Sequence, residues 1–181
     1  GTCRLLRNDG DLLFTEVSSQ AGVDLPGNYR HCSFGDFDND GWSDIGVGGT
    51  DIAVLFRNNG DGTFTDVAAA AGVVSPGPNF GLVLDDFDGD GWMDIYLPKL
   101  QGIPVGPSGV FRNDGDGTFS DVSISSGMTG QRDMGHNTAD VDADGYPDIY
   151  GGTGSPPEAQ FARRFLMPPA VQGGRPATDA S

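Results

Sequence analysis

Apolar residues in this chain come in short runs broken by Gly- and Asp-rich segments, and the runs alternate rather than recur at helical spacing. One unit shows the pattern. Ser33–Phe37 predicts a first strand; Asp44-Ile45-Gly46-Val47 predicts a second, with Ile45 and Val47 on one face by the period of two. Ala53-Val54-Leu55-Phe56-Arg57 predicts a third strand and Phe64–Val67 a fourth, joined through Asn59-Gly60-Asp61-Gly62, a tight-turn signal of the kind that closes hairpins. Ala68–Gly72 can start a helix, but Gly72 and Pro76 stop it within about one turn. Near residue 160, Phe161-Ala162-Arg163-Arg164-Phe165-Leu166-Met167 lies between Pro156-Pro157 and Pro168-Pro169, and a short helix over 158–166 is the expectation there.

The unit repeats. Arg7-Asn8-Asp9-Gly10-Asp11 leading to Phe14-Thr15-Glu16-Val17 returns 50 residues later as Arg57–Val67, and again after a further 55 as Arg112–Val122. Four antiparallel strands per period of about 50 residues describe a propeller blade. The fold class expected is therefore all-β: a β-propeller segment of four-stranded antiparallel blades, about three to four blade units. Residues 1–25 supply a half blade, 28–74 and 79–128 one blade each, and 133–152 another half blade. Ring closure takes four to eight blades as a rule, so the expectation is an incomplete ring. A fragment of a longer propeller would have wet apolar faces and a tendency to self-associate. Residues 155–181 break the pattern and are expected to form an irregular or poorly ordered tail.

Composition changes this picture in one direction. The chain carries 26 Asp+Glu against 10 Lys+Arg, for a net charge of -16. Twelve of the 26 acids fall in three copies of Asp-x-Asp-x-Asp-Gly-x-x-Asp: Asp36–Asp44, Asp86–Asp94 and Asp140–Asp148. Four carboxylates within nine residues repel one another unless a cation joins them. Calcium prefers six to eight oxygen ligands, whereas magnesium demands an octahedron and keeps its water. The sixth-position Gly permits the turn that folds the carboxylates inward. About three Ca²⁺ per chain follow, against the competing reading of a solvated, metal-free Asp-rich turn. Three such ions would bring -16 to -10, which still argues against nucleic acid and anionic membrane surfaces as partners. No apolar run reaches the ~18–20 residues of a membrane span. Two cysteines, Cys3 and Cys32, leave open one disulfide or two free thiols.

An EF-hand is the first competitor for the acid loops. It needs Glu at position twelve and flanking helices. Position twelve is Val47, Leu97 and Gly151, and the flanks read as strands. Asp11, Asp61 and Asp116 in the hairpins admit a second metal site, although Asn-Gly and Asp-Gly are above all turn formers. His31 and His136, with Arg30, Arg132 and Asp133 close by, lie at the entry to a first strand, which lines the channel in propellers. They mark a channel-mouth site for acid–base chemistry or an anionic sugar, against the plainer reading of two ordinary hydrogen-bonding histidines.

The three acid loops, Phe34-Gly35 ahead of the first, and Phe80-Gly81 in a shifted position resemble the FG-GAP/VCBS repeat family, which includes the calcium-binding blades of integrin alpha-subunit propellers. The run from Leu55 to Val67 is similar to the subgroup related to cartilage acidic protein. The resemblance covers residues 1–154. It implies a calcium-stabilised, extracellular or periplasmic propeller used in adhesion or carbohydrate contact. It also implies a ligand set: side chains of loop positions one, three, five and nine, and the main-chain carbonyl of position seven. These are Asp36, Asp38, Asp40, Asp44 and Trp42; Asp86, Asp88, Asp90, Asp94 and Trp92; Asp140, Asp142, Asp144, Asp148 and Tyr146. The side chains of Trp42, Trp92 and Tyr146 would pack between adjacent blades or form a sugar-stacking stripe.

The functional expectation is a calcium-binding extracellular module with structural metal sites that binds a protein or glycan. Rivals from other classes are a carbohydrate lyase or isomerase with a channel-mouth site near His31 and Arg30, and a spacer in a larger surface protein.

Overall fold

The computed structural model describes residues 3–50, 53–74, 78–98, 109–128, 135–152 and 162–163. The chain opens with a hairpin, β1 (Leu6–Gly10) and β2 (Leu13–Glu16), followed by one helical turn, α1 (Ser18–Ala21). A four-stranded antiparallel sheet follows: β3 (Tyr29–Gly35), β4 (Asp44–Gly49), β5 (Val54–Asn58) and β6 (Phe64–Asp66), in that spatial order. The next sheet repeats it with β7 (Val83–Asp85), β8 (Asp94–Leu97), β9 (Gly109–Asn113) and β10 (Phe119–Asp121). Then come β11 (Gly135–Ala139), β12 (Asp148–Gly152) and β13 (Ala162–Arg163), a three-stranded sheet. This is a partial β-propeller of four-stranded antiparallel blades, and the described residues form no closed ring.

Two expectations need correction. The strand foreseen over 33–37 begins at Tyr29 and stops at Gly35, with a register irregularity between Tyr29 and His31. Pairing with the long β4 draws the polar residues 29–32 into the ladder, and Phe37 turns into the core, 3% exposed. The short helix expected over 158–166 is not what Ala162–Arg163 form: they pair with Ile149 and Tyr150 of β12, whose free edge has main-chain groups to satisfy. The other residues of 155–181 lie outside the described residues, as do Arg132 and Asp133.

Each sheet of the middle pair is covered on both faces, which is why every residue of β4 is buried. Ile45 lies between Phe34 and Phe56 in the register, and Val47 between Cys32 and Val54. Ile45, Val47, Val54 and Phe56 pack with Ala21 and Val23, so this face looks toward the N-terminal hairpin. The intervening residues of β4 are Gly46 and Gly48, and they look the other way. There Leu55 and Phe37 meet Leu82, Leu84, Ile95, Leu97 and Phe111 of the following sheet. The opposite face of that sheet carries Val83, Tyr96 and Val110, which pack with Ile149. One alternating pattern thus builds each interface in turn, with β3 beside β7 and β7 beside β11.

The glycines of β4 set how closely two blades approach. A Cβ on Gly46 would stand 2.1 Å from a methyl of Leu82, and one on Gly48 would stand 2.2 Å from the main-chain carbonyl group of Gly81. A leucine side chain can turn aside, whereas the backbone at Gly81 cannot. Gly48→Ala is therefore expected to destabilise the fold by about 1–3 kcal/mol through overpacking. Urea unfolding in saturating calcium measures this, and an unchanged midpoint would show that the blades are not in contact there.

Candidate metal centre

Each acid loop joins the first strand of a sheet to the second. Its shape follows from side chains that accept hydrogen bonds from the loop's own backbone. In the first loop, Asp36 accepts from the N–H of Asp40 (3.1 Å) and of Gly41 (2.9 Å), and Asp40 accepts from Trp42 N–H (2.8 Å). The second loop repeats this: Asp86 accepts from Asp90 (3.1 Å) and Gly91 (2.9 Å), and Asp90 from Trp92 (2.9 Å). So does the third, with Asp140 accepting from Asp144 (3.1 Å) and Gly145 (2.9 Å), and Asp144 from Tyr146 (3.1 Å). The sixth-position glycines have φ of 91°, 90° and 93°, the left-handed conformation the turn requires. Position four is left-handed as well, and there Ala143, at φ 60°, adopts a conformation that disfavours a Cβ.

This winding gathers acids. Carboxylate oxygens of Asp36, Asp38 and Asp40 lie within 4.8 Å of one another, as do those of Asp86, Asp88 and Asp90, and those of Asp140, Asp142 and Asp148. Two oxygens on one cation can be no farther apart than twice the bond length. That limit is about 4.6–5.2 Å for calcium and about 4.0–4.2 Å for magnesium. The all-oxygen donor set suits a hard cation, so acidic clusters able to hold a metal are present in all three loops.

The ninth-position acids do something the sequence did not disclose. Asp44 is fully buried and accepts from Phe37 N–H (3.0 Å) and Asn58 N–H (2.8 Å). Asp94, also fully buried, accepts from Phe87 N–H (3.1 Å) and Asn113 N–H (2.8 Å). Each ties its loop to the hairpin of its own sheet, and neither belongs to its loop's three-acid cluster. Asp148 does both, accepting from Val141 N–H (3.1 Å) while belonging to the third cluster, from which Asp144 is absent. Without a cation, burial pushes Asp94 up to about 7, with the charge of Asp88 adding to it and the two N–H donors opposing. Burial likewise raises Asp44 to about 6, opposed by its own two N–H donors. Asp38 and Asp88 are raised by burial first and then by the neighbouring Asp40 and Asp90.

Two asparagines complete the framework. Asn58 donates from its side chain to Ser43 O (3.0 Å); Asn113 donates to Met93 O (3.0 Å) and reaches into the previous blade at Phe37 O (2.8 Å). Asn39 donates across the same boundary to Gly91 O (3.2 Å). The signal for the first two was the recurring Arg-Asn pair at the head of each hairpin motif, which reads as turn chemistry alone until the fold brings it under the loop.

The remaining candidates have structural partners. Asp61 accepts from both the N–H and the hydroxyl of Thr63 (2.9 and 2.6 Å), and Asp116 does the same with Thr118 (3.0 and 2.6 Å). These are turn contacts, as the hairpin reading expected. Nδ1 of His31 lies 3.2 Å from Leu82 O in the next blade, and the Arg30 guanidinium sits 5.0 Å over the Phe80 ring. His136 pairs with Gly151 along β11, while His31 pairs with Gly48. Of the loop aromatics, Trp42 lies against Gly60 and Trp92 against Gly115, both in their own blades, whereas Tyr146 meets Gly89 of the neighbouring blade. The packing expected between blades is thus seen at Tyr146.

Comparison with known proteins bears on the family. No curated protein matches the chain. A solved structure described as showing specific recognition of non-reducing terminal N-acetylglucosamine by an Agrocybe aegerita lectin is similar over 82% of this chain, at 22% identity and a TM-score of 0.46. The chain spans 40% of that protein's length. No helix among the described residues is long and apolar enough to cross a membrane. The model of the FG-GAP-like repeat matches residues 46–97 and 104–151, more than half of the sequence, each match running through one acid loop or the approach to it. The chain belongs to the FG-GAP-like repeat family.

Proposed function

We propose that this chain is a calcium-stabilised propeller module working outside the cytoplasm, in an extracellular or periplasmic setting, where it presents a rigid surface to a protein or glycan. The observation that carries this reading is the same winding of three separate acid loops around converging carboxylates. In the first two loops the ion would be held by the acids at positions one, three and five, and in the third by those at one, three and nine, with the remaining acid and the main-chain carbonyl of position seven completing the shell. The residues are Asp36, Asp38, Asp40, Asp44 and Trp42, their equivalents Asp86 to Asp94, and Asp140 to Asp148 with Tyr146. When bound, the metal supplies positive charge and fixed geometry rather than reactivity.

The division of labour follows from the hydrogen bonds. The first acid closes the loop on itself. The ninth acid anchors the loop to the blade. The cation offsets the repulsion that this folding creates. Metal binding and folding are then one process, and FG-GAP repeats are typical of extracellular proteins, where calcium is abundant. Trp42 and Tyr146, 53% and 43% exposed, stand on the loops and are the side chains through which a partner would sense whether the metal is present.

Calorimetric titration of chelator-treated protein is expected to give about three calcium ions per chain. Saturating metal at about 100 times Kd should stabilise the fold by roughly 2.7 kcal/mol per site. A stoichiometry of none, with the same melt in excess chelator, would remove the proposal.

A pH test separates the cation from the loop. In metal-free protein the raised carboxyls of Asp44 (about 6) and Asp94 (about 7) bind more protons folded than unfolded. Their contribution is complete below the ordinary carboxylate range and is lost as pH rises through about 6 and 7. Metal-free protein is therefore expected to lose urea resistance between about pH 4 and about pH 7, while calcium-saturated protein holds or gains it, because the ion favours the charged carboxylates. Parallel pH profiles with and without calcium would contradict this.

A further inference from the structure

Cys3 and Cys32 are the two cysteines of the sequence, and the fold brings both to one cavity. Cys3 precedes β1 and its N–H donates to Leu25 O at 3.4 Å. Its side chain packs against the apolar cluster that contains Val47. Cys32 pairs directly with Val47 in the β3–β4 register, so it stands on the face of the sheet that looks toward the hairpin. A cavity of about 380 Å³ opens between the segment that leads into β1 and the sheet, and Cys3, Cys32, Val23, Tyr29, Val47 and Phe56 are among its lining residues. Burial raises the Cys3 thiol, and the nearby Cys32 raises it further. Both thiols are free in the structure; Cys32 is exposed and Cys3 half-buried, so reagents reach Cys32 first.

The hairpin has need of a fastening. A two-stranded ribbon is marginal by itself, and here Leu6, Leu13 and Phe14 of β1 and β2 are 54%, 66% and 57% exposed. Its links to the rest of the chain run through Cys3, Leu5, Ala21, Val23 and Leu25 on one side of the sheet. The two cysteines stand across that seam.

We propose that Cys3 and Cys32 form a disulfide that fastens the N-terminal hairpin to the first strand of the following blade across their shared cavity. The oxidant is a small-molecule or protein disulfide, for which oxidised glutathione serves as the probe. The Cys32 thiolate attacks one sulfur of the glutathione disulfide, and one glutathione thiolate leaves. The Cys3 thiolate then attacks the Cys32 sulfur and expels the second glutathione thiolate. One disulfide is reduced to two thiols while two protein thiols become one disulfide, and the two protons pass through solvent to the departing thiolates. Both cysteines lie outside the three acid loops in sequence.

The test incubates the calcium-saturated chain with oxidised glutathione, alkylates the remaining thiols, and digests with trypsin. Calcium content is measured on the same sample, so loss of metal and failure to bridge are seen separately. Cleavage at Arg4, Arg30 and Arg57 should release residues 1–4 joined to residues 31–57 from a monomeric protein. Amides of β1 and β2 should exchange about tenfold or more slowly once bridged, because the closed loop restricts local opening. Cys3→Ser should stop at a single glutathione adduct on Cys32. Two alkylated thiols, stable glutathione adducts on both cysteines, a cysteine-linked dimer, or an unmodified Cys32 in the Cys3→Ser variant would each overturn the proposal.

Discussion

The structure turns on a buried aspartate at the end of each acid loop. Asp44 and Asp94 have no exposed surface, and each accepts one N–H from the loop above it and one from the hairpin beside it. Such a carboxylate is useful because it joins segments that are otherwise distant in sequence. It is costly because burial disfavours its charge, as the rise of Asp94 to about 7 records. A cation seated among the three acids just ahead of it in the loop would resolve the conflict. The loop and the outer strands are coupled through one side chain per blade.

The same acid determines how blades communicate. Asn113, whose N–H meets Asp94, uses its side chain to reach Phe37 O in the previous blade, on the residue whose N–H meets Asp44. Asn39 and Gly91 make a second link between the same two loops, and Tyr146 lies against Gly89 in the next pair. Beneath these polar links, Gly46 and Gly48 let the sheets approach until Leu82 and Gly81 touch the backbone of β4. Between the two four-stranded sheets an apolar interface thus carries a polar rim, in keeping with a repeat protein in which units lean on their neighbours.

Much of this was legible in the residues. Asp-x-Asp-x-Asp-Gly-x-x-Asp carries its own turn glycine and its own charge problem, so three loops and their chemistry could be read directly. Ile45 and Val47 alternate with glycine, and that announced a strand with one apolar face. What the alternation hid was the second buried face, because a glycine pressed against Gly81 looks in sequence like a glycine in a turn. Tyr29 to Cys32 fell ahead of the strand expected over 33–37 because their strand character comes from pairing with β4 rather than from their own propensity. Asn58 and Asn113 read as turn formers, and Asp44 and Asp94 as simple ligands. Their bonds to one another join residues 14 and 19 apart and depend on a sheet that no local pattern describes. Ala162 and Arg163 pair with β12 because an open edge recruits them, which proline-flanked composition did not foretell.

Diffraction from a calcium-soaked crystal, with the anomalous signal of the metal located independently of the protein, tests the central claim most directly. The account predicts one ion in each described loop, contacted by Asp36, Asp38 and Asp40, by Asp86, Asp88 and Asp90, and by Asp140, Asp142 and Asp148 at about 2.3–2.6 Å. Loops that stay empty at saturating calcium, or ions held instead by the hairpin acids Asp61 and Asp116, would contradict it.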